Sequence, residues 1–401
     1  MLRSFVQKAF RPLLNNRRFY ANRVPLHQQH VDLGGEMVEF GGFEMPLKYR
    51  GSMLQEHEAV RKRAGVFDVS HMGQFEIKGT NAGKFVNRLV TNNVKRMEDG
   101  MAQYSPMCNP AGGTVDDLLI YRKSENQYML VVNAANIEKD WEHVQGVARG
   151  EIGGEEFKNG VLNNVEISNI SDSIGLLALQ GPQTFDILEQ VFGQDFSSLK
   201  YYRYAWLEEA GRHHDHGLIV SRNGYTGEKN GVELYCSTKG DLQRIWDVLL
   251  EAGVQPAGLA ARDILRLEAG FCLYGHELNE EINPLEAGLG WAIKLKAGPF
   301  VGRTALREAR AKGLERKVVP FIMTDPKAIP RQGYRVVDPV SGDDLGEVTS
   351  GTRSPMLERG IGLALIRNQK GLVEKGSHFG IQVRKRVLEA DVCGLPIFEQ
   401  T

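Results

Sequence analysis

Asp116 and Asp117 stand side by side after a glycine pair, in Gly112-Gly113-Thr114-Val115-Asp116-Asp117-Leu118-Leu119-Ile120-Tyr121. The apolar run that follows reads as a buried strand. A carboxylate at the mouth of such a strand is costly unless something holds it there. Side chains alternate along a strand, so Asp117, Leu119 and Tyr121 share one face and Asp116 takes the other. One aspartate can then face a pocket beside an aromatic ring while its neighbour does structural work. A turn capped by Asp-Asp accounts for the same residues, and on this segment alone it is the simpler reading.

Three further residues invite chemistry. Glu233 lies inside the apolar strand Val232–Tyr235, Arg262 follows Ala260-Ala261 in a helical stretch, and Tyr225 sits in the glycine-rich turn from Asn223 to Gly231. Singly, each has a plainer explanation: strand acids face solvent, semi-buried arginines pair with acids, and tyrosines pack. Together in a flat aromatic pocket, an acid and an arginine suit a pterin. The carboxylate accepts two hydrogen bonds from the aminopyrimidine edge and the guanidinium donates to the ring carbonyl. The turn itself has neither the dinucleotide nor the phosphate-loop spacing. His213-His214-Asp215-His216 reads as a solvated hairpin tip rather than a metal site, since only His214 and His216 would share a strand face. His71 reads as a structural histidine, and no Gly-x-Ser-x-Gly elbow is present.

The elements that must position these groups alternate between helix and strand. Helical spacing covers Met53–Lys62, Ala82–Thr91, Ile137–Val147, Gln183–Phe192, Leu242–Ala252 and Ala260–Ala269. A strand and turn are expected over Val66–Gly73, and strands at Tyr128–Asn133, Leu176–Leu179, Leu218–Ser221 and Val232–Tyr235. From about Phe300 a basic helical piece, Arg303 to Lys317, leads into short strands separated by turns, the texture of a small all-β barrel.

The whole chain, 401 residues with a formal net charge of −1, is long enough for two or three domains. No apolar run approaches the ~20 residues that span a bilayer, so no membrane segment is expected. The first 23 residues differ: Arg3, Lys8, Arg11, Arg17, Arg18 and Arg23 occur before the first acid, Asp32. Leu2, Phe5, Val6, Ala9, Phe10, Leu13 and Leu14 can line one side of a helix. This amphipathic, acid-free pattern is that of a mitochondrial transit peptide, with cleavage expected after Tyr20 and a matrix location. Cleavage removes 5 of the 49 basic residues and none of the 50 acids, leaving a charge of −6. A mildly acidic protein argues against a nucleic-acid partner. Cys108, Cys236, Cys272 and Cys393 are too scattered for a disulfide framework or a zinc site.

Several segments, in order from about residue 26 to near 395, resemble one family, the aminomethyltransferases or T-proteins of the glycine cleavage system. They are Gly41 to Leu47, Gly65 to Gly73 (GVFDVSHMG), Gly112 to Leu118 (GGTVDDL), Val132 to Asn136, Gln180-Gly181-Pro182, Gly224 to Gly227 (GYTG) and Pro256 to Leu267. Leu273 to Leu278, Asn283-Pro284 and Val348 to Gly351 complete the series. The resemblance implies an α+β fold, a three-domain cloverleaf with folate at its centre and a C-terminal β-barrel. The expected divisions are a leader over 1–23, two intertwined α+β domains over 24–298 and the barrel domain over 299–401. It implies an enzyme of one-carbon metabolism. The aminomethyl group carried on the lipoyl arm of H-protein passes to tetrahydrofolate, giving 5,10-methylenetetrahydrofolate, ammonia and dihydrolipoyl-H-protein.

By the same resemblance Asp117 is the catalytic carboxylate, and Glu233 and Arg262 are the pterin-recognising pair. Tyr104, Tyr121, Asn133, Tyr201 and Tyr225 complete the folate pocket. Tetrahydrofolate is the co-substrate, no metal is implied, and lipoylated H-protein is the partner. Lys294, Lys296, Arg303, Arg307 and Arg310 form a basic candidate surface for it. The family often places a tyrosine near its C-terminus, where this chain has Phe398. An iron–sulfur assembly factor family shares the fold and would be the non-catalytic alternative. Its Lys-Gly-Cys-Tyr-x-Gly-Gln-Glu motif is matched only loosely by Gly270-Phe271-Cys272-Leu273-Tyr274-Gly275-His276-Glu277.

Overall fold

A computed structural model describes residues 21–153, 157, 162–207, 218–237 and 240–399. The leader up to Tyr20 and the His213–His216 stretch lie outside the described residues.

Two β-sheets dominate the α+β body. The first has six strands in the order Tyr204–Leu207, Leu218–Ser221, Gly231–Ser237, Ile174–Gln180, Gly65–Asp68, Gln255–Pro256. The second has five, in the order Met101–Cys108, Thr114–Ser124, Gln127–Val132, Gly73–Lys78, Glu166–Asn169. Residue parity assigns each strand's side chains to a layer. Leu177, Leu179, Val220 and Leu234 pack outward against Leu242, Ile245, Trp246 and Leu249 of the helix Asp241–Glu251. Leu118, Ile120, Leu130 and Val132 pack outward against Phe85 and Leu89 of the helix Ala82–Leu89 and Val144 of the helix Ile137–Ala148. The alternate residues Leu176, Ala178, Ile219 and Tyr235 of one sheet meet Ala102, Tyr121, Met129 and Val131 of the other in a shared central core. The two sheets thus face each other, with helices on their outer sides, and each large apolar side chain buried there contributes about 1.5–3 kcal/mol.

Local rules explain the ends of these elements. Ser52 caps the helix Met53–Lys62 with a capping box closed by Gln55. Gly270, left-handed at φ +76°, terminates the helix Leu259–Ala269. The Arg303 helix is shorter than its basic run suggests: Gly313 at φ +90° ends it after Lys312, and the first barrel strand begins at Arg316. The barrel closes in the order Arg316–Met323, Arg359–Arg367, Asp344–Ser354, Arg335–Val337, His378–Val383, Arg386–Val392. Phe321, Val336, Val348, Ile366 and Phe379 fill it.

The barrel is anchored to the helix Leu259–Ala269 by buried polar contacts. Arg266 donates to Ser350 Oγ at 2.8 Å, and Ser354 Oγ donates to Glu268 Oε1 at 2.5 Å. Glu268 Oε2 in turn accepts from His57 at 2.9 Å and Arg61 at 2.7 Å. Phe398 lays its ring against the Arg61 guanidinium, 5.7 Å away, and donates its backbone N–H to Glu268 O.

Candidate active site

The Gly112-Gly113 pair makes the approach to the aspartates possible. Gly112 has φ +91°, and a Cβ on Gly113 would fall 1.7 Å from the carbonyl oxygen of Glu280. The strand Thr114–Ser124 then carries the two aspartates to opposite sides. Asp116 is fully buried. It accepts the backbone N–H of Asn133 at 2.9 Å, the Asn133 amide at 2.8 Å and the Asn136 amide at 2.6 Å. Asp117 is half-buried on the face that looks toward the six-stranded sheet. Its Oδ1 accepts from Asn133 Nδ2 at 2.9 Å and its Oδ2 from the Tyr104 hydroxyl at 3.0 Å. One asparagine therefore bridges both carboxylates. Burial, and second the charge of Asp116, push the Asp117 carboxyl up to about 7. The same burial, with Asp117 alongside, raises the Tyr104 hydroxyl, which stays a protonated donor. The ring of Tyr104 stacks on Trp291 with centroids 5.5 Å apart.

Glu233 forms the second pole. It is buried on the inter-sheet side of its strand, not exposed to solvent as a strand acid usually is. Tyr235 O–H and Asn223 Nδ2 donate to its Oε2 at 2.7 and 3.0 Å. Tyr121 completes this network, donating to Tyr235 Oη at 2.9 Å and accepting from Asn223 at 3.1 Å. Tyr121 has no exposed surface and braces Glu233 through Tyr235 and Asn223. Two steps beyond Leu119 on the strand, it joins the central core. Burial raises the Glu233 carboxyl, opposed by its bond to Tyr235 and then by the charge of Arg262.

Arg262 lies with its guanidinium over the Tyr225 ring, 4.7 Å from the centroid. Among the described residues its guanidinium has no hydrogen-bond or ion-pair partner, and burial lowers its pKa despite the fields of Tyr225 and Glu233. Tyr225 donates to the carbonyl of Cys272 and stacks on Phe271 at 5.8 Å. Burial raises its hydroxyl, opposed by Arg266 and reinforced by Asp117. Tyr201 is 49% exposed and lies in the field of Glu233. His71, against the rings of Phe40 and Phe43, is lowered to about 4 by burial and then by Arg262, and is neutral at pH 7.

Asp117, Tyr104, Asn133, Glu233, Arg262, Tyr225 and Tyr201 are thus gathered along the seam between the sheets. Three contributors escaped sequence reasoning. Tyr235 was signalled by its i,i+2 relation to Glu233, which puts both on one face. Asn223 precedes the glycine turn, and its role depends on how that turn folds back over the strand. Trp291 comes from a 3-10 turn, Leu289–Ala292, remote in sequence, and carries no local signal. Among the described residues no group of three or more His, Cys, Asp or Glu could hold a metal ion.

The arrangement can seat a flat, hydrogen-bonding heterocycle. Tyr235 and Asn223 both donate to Glu233 Oε2, the Arg262 guanidinium has no hydrogen-bond or ion-pair partner among the described residues, and Tyr225 supplies a ring. Beside it stands a carboxyl near neutrality, suited to taking or giving a proton and to stabilising positive charge.

Residues 26–297 match the family model described as GCVT N-terminal domain, and residues 316–399 match the glycine cleavage T-protein C-terminal barrel domain. An aminomethyltransferase of Geobacillus sp. (strain WCH70) is 43% identical over 383 residues, covering 94% of this chain and 99% of the relative. The aminomethyltransferase of Bacillus subtilis (strain 168) is 43% identical over 386 residues, with the same coverage. The crystal structure of glycine cleavage system aminomethyltransferase T from Bartonella henselae superposes with a TM-score of 0.84 at 28% identity, covering 95% of this chain and 99% of that one. Two domain models spanning body and barrel, and relatives matched over nearly their whole length, show that the chain belongs to the glycine cleavage T-protein, or aminomethyltransferase, family.

Proposed function

We propose that the chain transfers the one-carbon unit of aminomethylated H-protein to tetrahydrofolate. The observation that carries this reading is the pairing, along one seam, of a carboxyl near neutrality at Asp117 with an acid–arginine–tyrosine seat at Glu233, Arg262 and Tyr225. In this reading Glu233 accepts from the aminopyrimidine edge of the pterin, Arg262 donates to its carbonyl, and Tyr225 and Tyr201 contact its ring system.

Asp117 lies beside the reacting folate nitrogens. The C–N bond of the aminomethyl group breaks as one folate nitrogen attacks, and ammonia leaves. The C–S bond to the lipoyl sulfur breaks as the second folate nitrogen closes the ring. The two folate N–H protons end on the departing amine and on the sulfur. Asp117 stabilises the cationic, iminium-like carbon and relays protons, while Asn133 and Tyr104 fix its orientation.

The lipoyl arm comes from H-protein, and the basic surface is its docking face. Lys294, Lys296, Arg307 and Arg310 are exposed there, while Arg303 is half-buried and donates to Leu295 O. That surface adjoins Trp291, which leads inward to Tyr104 and Asp117. The acid-free leader supports delivery to the mitochondrial matrix, testable by fusing residues 1–23 to a reporter and following its import.

The decisive assay mixes purified protein with aminomethylated H-protein and tetrahydrofolate, and follows ammonia and 5,10-methylenetetrahydrofolate. Absence of turnover with these authentic substrates would overturn the assignment.

A further inference from the structure

Behind Asp116, on the side away from the cleft, lies a third carboxyl. Asp140, in the helix Ile137–Ala148, has no exposed surface. Neither of its oxygens meets a hydrogen-bond donor among the described residues. What it does meet, within hydrogen-bonding range, is the carboxyl of Asp116. Two buried carboxyl groups in contact offer each other only acceptors unless one of them carries a proton. Asp116 already accepts three N–H bonds, from Asn133 and Asn136, an environment suited to the ionised form. Asp140 accepts none, so the proton belongs on Asp140.

We propose that Asp140 is a neutral carboxylic acid in the working enzyme, that its O–H donates to Asp116, and that it is a positioning residue for Asp117. The link runs through four groups. Asp140 holds Asp116, Asp116 holds the Asn133 amide, and that amide holds Asp117 Oδ1 at 2.9 Å.

The surrounding charges agree with this assignment. Asp116 and Asp117 face Asp140 from the strand and both raise it, after burial. On its own helix, Lys139 opposes them only partly. Its ammonium is committed to the Val115 carbonyl at 2.7 Å and to the Tyr274 hydroxyl, and it also faces Glu280. His143, one turn further on, is lowered by burial to about 4 and brings no positive charge near pH 7. Were Asp140 to ionise, a third negative charge would stack behind Asp116 and Asp117 and loosen the asparagine clamp. Turnover should therefore fall on the alkaline side as Asp140 loses its proton.

The kinetic part of this inference rests on the proposed reaction; the spectroscopic part does not. Infrared spectra of the full-length protein and of Asp140→Asn are compared at about pH 8.5, above the value of about 7 for Asp117, so that Asp117 is mostly ionised. The wild type is expected to show a protonated-carboxyl C=O band that shifts in heavy water and is missing from Asp140→Asn. In turnover, Asp140→Leu is expected to lose about tenfold or more in kcat with little change in folate KM, because the clamp is misplaced rather than the folate seat. Asp140→Asn, whose amide restores a donor to Asp116, should recover most of that loss and lack the wild-type alkaline fall. A wild type without the band, a band that survives in Asp140→Asn, or an Asp140→Asn as slow as Asp140→Leu overturns the proposal. If Asp140→Leu does not fold, the band and the pH profile of Asp140→Asn decide. If no form turns over, the reaction assignment fails and the band alone decides on Asp140.

Discussion

Replacing Asp117 by asparagine should remove activity and stabilise the protein. In the folded chain the carboxyl is raised from 3.8 to about 7, mainly by burial and next by Asp116. A raised carboxyl is a cost to folding whenever it is ionised. Below about pH 4 both folded and unfolded chains hold the proton and the group is neutral in its effect. Between about 4 and 7 only the folded chain holds it, so stability falls as pH rises through that window and levels off above it. A shift of about three units, at about 1.4 kcal/mol each, gives roughly 4 kcal/mol as an upper bound. The carboxyl is only half-buried, so solvent screening reduces this, and about 1–3 kcal/mol is the expected gain for Asp117→Asn at pH 8. The asparagine keeps both contacts: its Oδ1 accepts from Asn133 and its amide donates to the Tyr104 hydroxyl. The assay is urea unfolding at pH 4, 5.5 and 8, wild type against variant. The gap should be near zero at pH 4 and grow to its full value by pH 8. Turnover should meanwhile fall by about 10²–10⁴ while folate remains bound. A variant less stable than wild type at pH 8, or a gap that ignores pH, would refute the placement of the carboxyl in a desolvating, like-charged environment.

Other variants test the neighbouring parts. Asp116→Asn turns an amide toward three donors, so it should cost about 1–3 kcal/mol of stability in urea titrations. It should also move the acid limb of the pH–rate profile to lower pH, because one of the two causes that raise Asp117 is gone. Glu233→Gln weakens a charged contact worth about 1.5–3 kcal/mol, and calorimetry should show tetrahydrofolate binding about 10- to 100-fold weaker. Lys294→Glu combined with Arg307→Glu should raise the KM for H-protein and flatten its dependence on salt; an unchanged KM would remove that face as the docking site. Gly113→Ala forces a methyl against the Glu280 carbonyl and should destabilise by about 1–3 kcal/mol in thermal unfolding.

Much of this site was legible in the strand alternation. The parity that sets Asp117 apart from Asp116 is the same parity that sends Leu118 and Ile120 to the helix layer and Tyr121 to the central core. Parity alone does not say how deep a residue lies along the strand; Tyr121, two steps beyond Leu119, is fully buried and bonded to Tyr235 and Asn223. Glu233 reads in isolation as a solvent-facing strand acid. Only the facing five-stranded sheet, whose Tyr121 bonds to Tyr235 and Asn223 beside it, shows that no solvent lies above it. Asp140 was the least visible residue. It sits in the run Glu138-Lys139-Asp140-Trp141-Glu142, which looks like an ordinary charged helix surface. Its burial follows from the contact of that helix with the strand Thr114–Ser124, a tertiary fact with no local trace.

The stacking of Trp291 on Tyr104 has an optical consequence. Of the four tryptophans, Trp246 is enclosed beneath the six-stranded sheet, Trp141 lies against Phe75 on the outer helix layer, and Trp206 is on an edge strand. Trp291 alone stacks on a ring that touches Asp117, and the residue is 55% exposed. Its emission therefore reports on the solvent at the mouth of the cleft. Trp291→Phe, which keeps the stack, isolates that signal by subtraction, so entry of folate and arrival of the lipoyl arm can be timed in a stopped-flow fluorimeter without an added label.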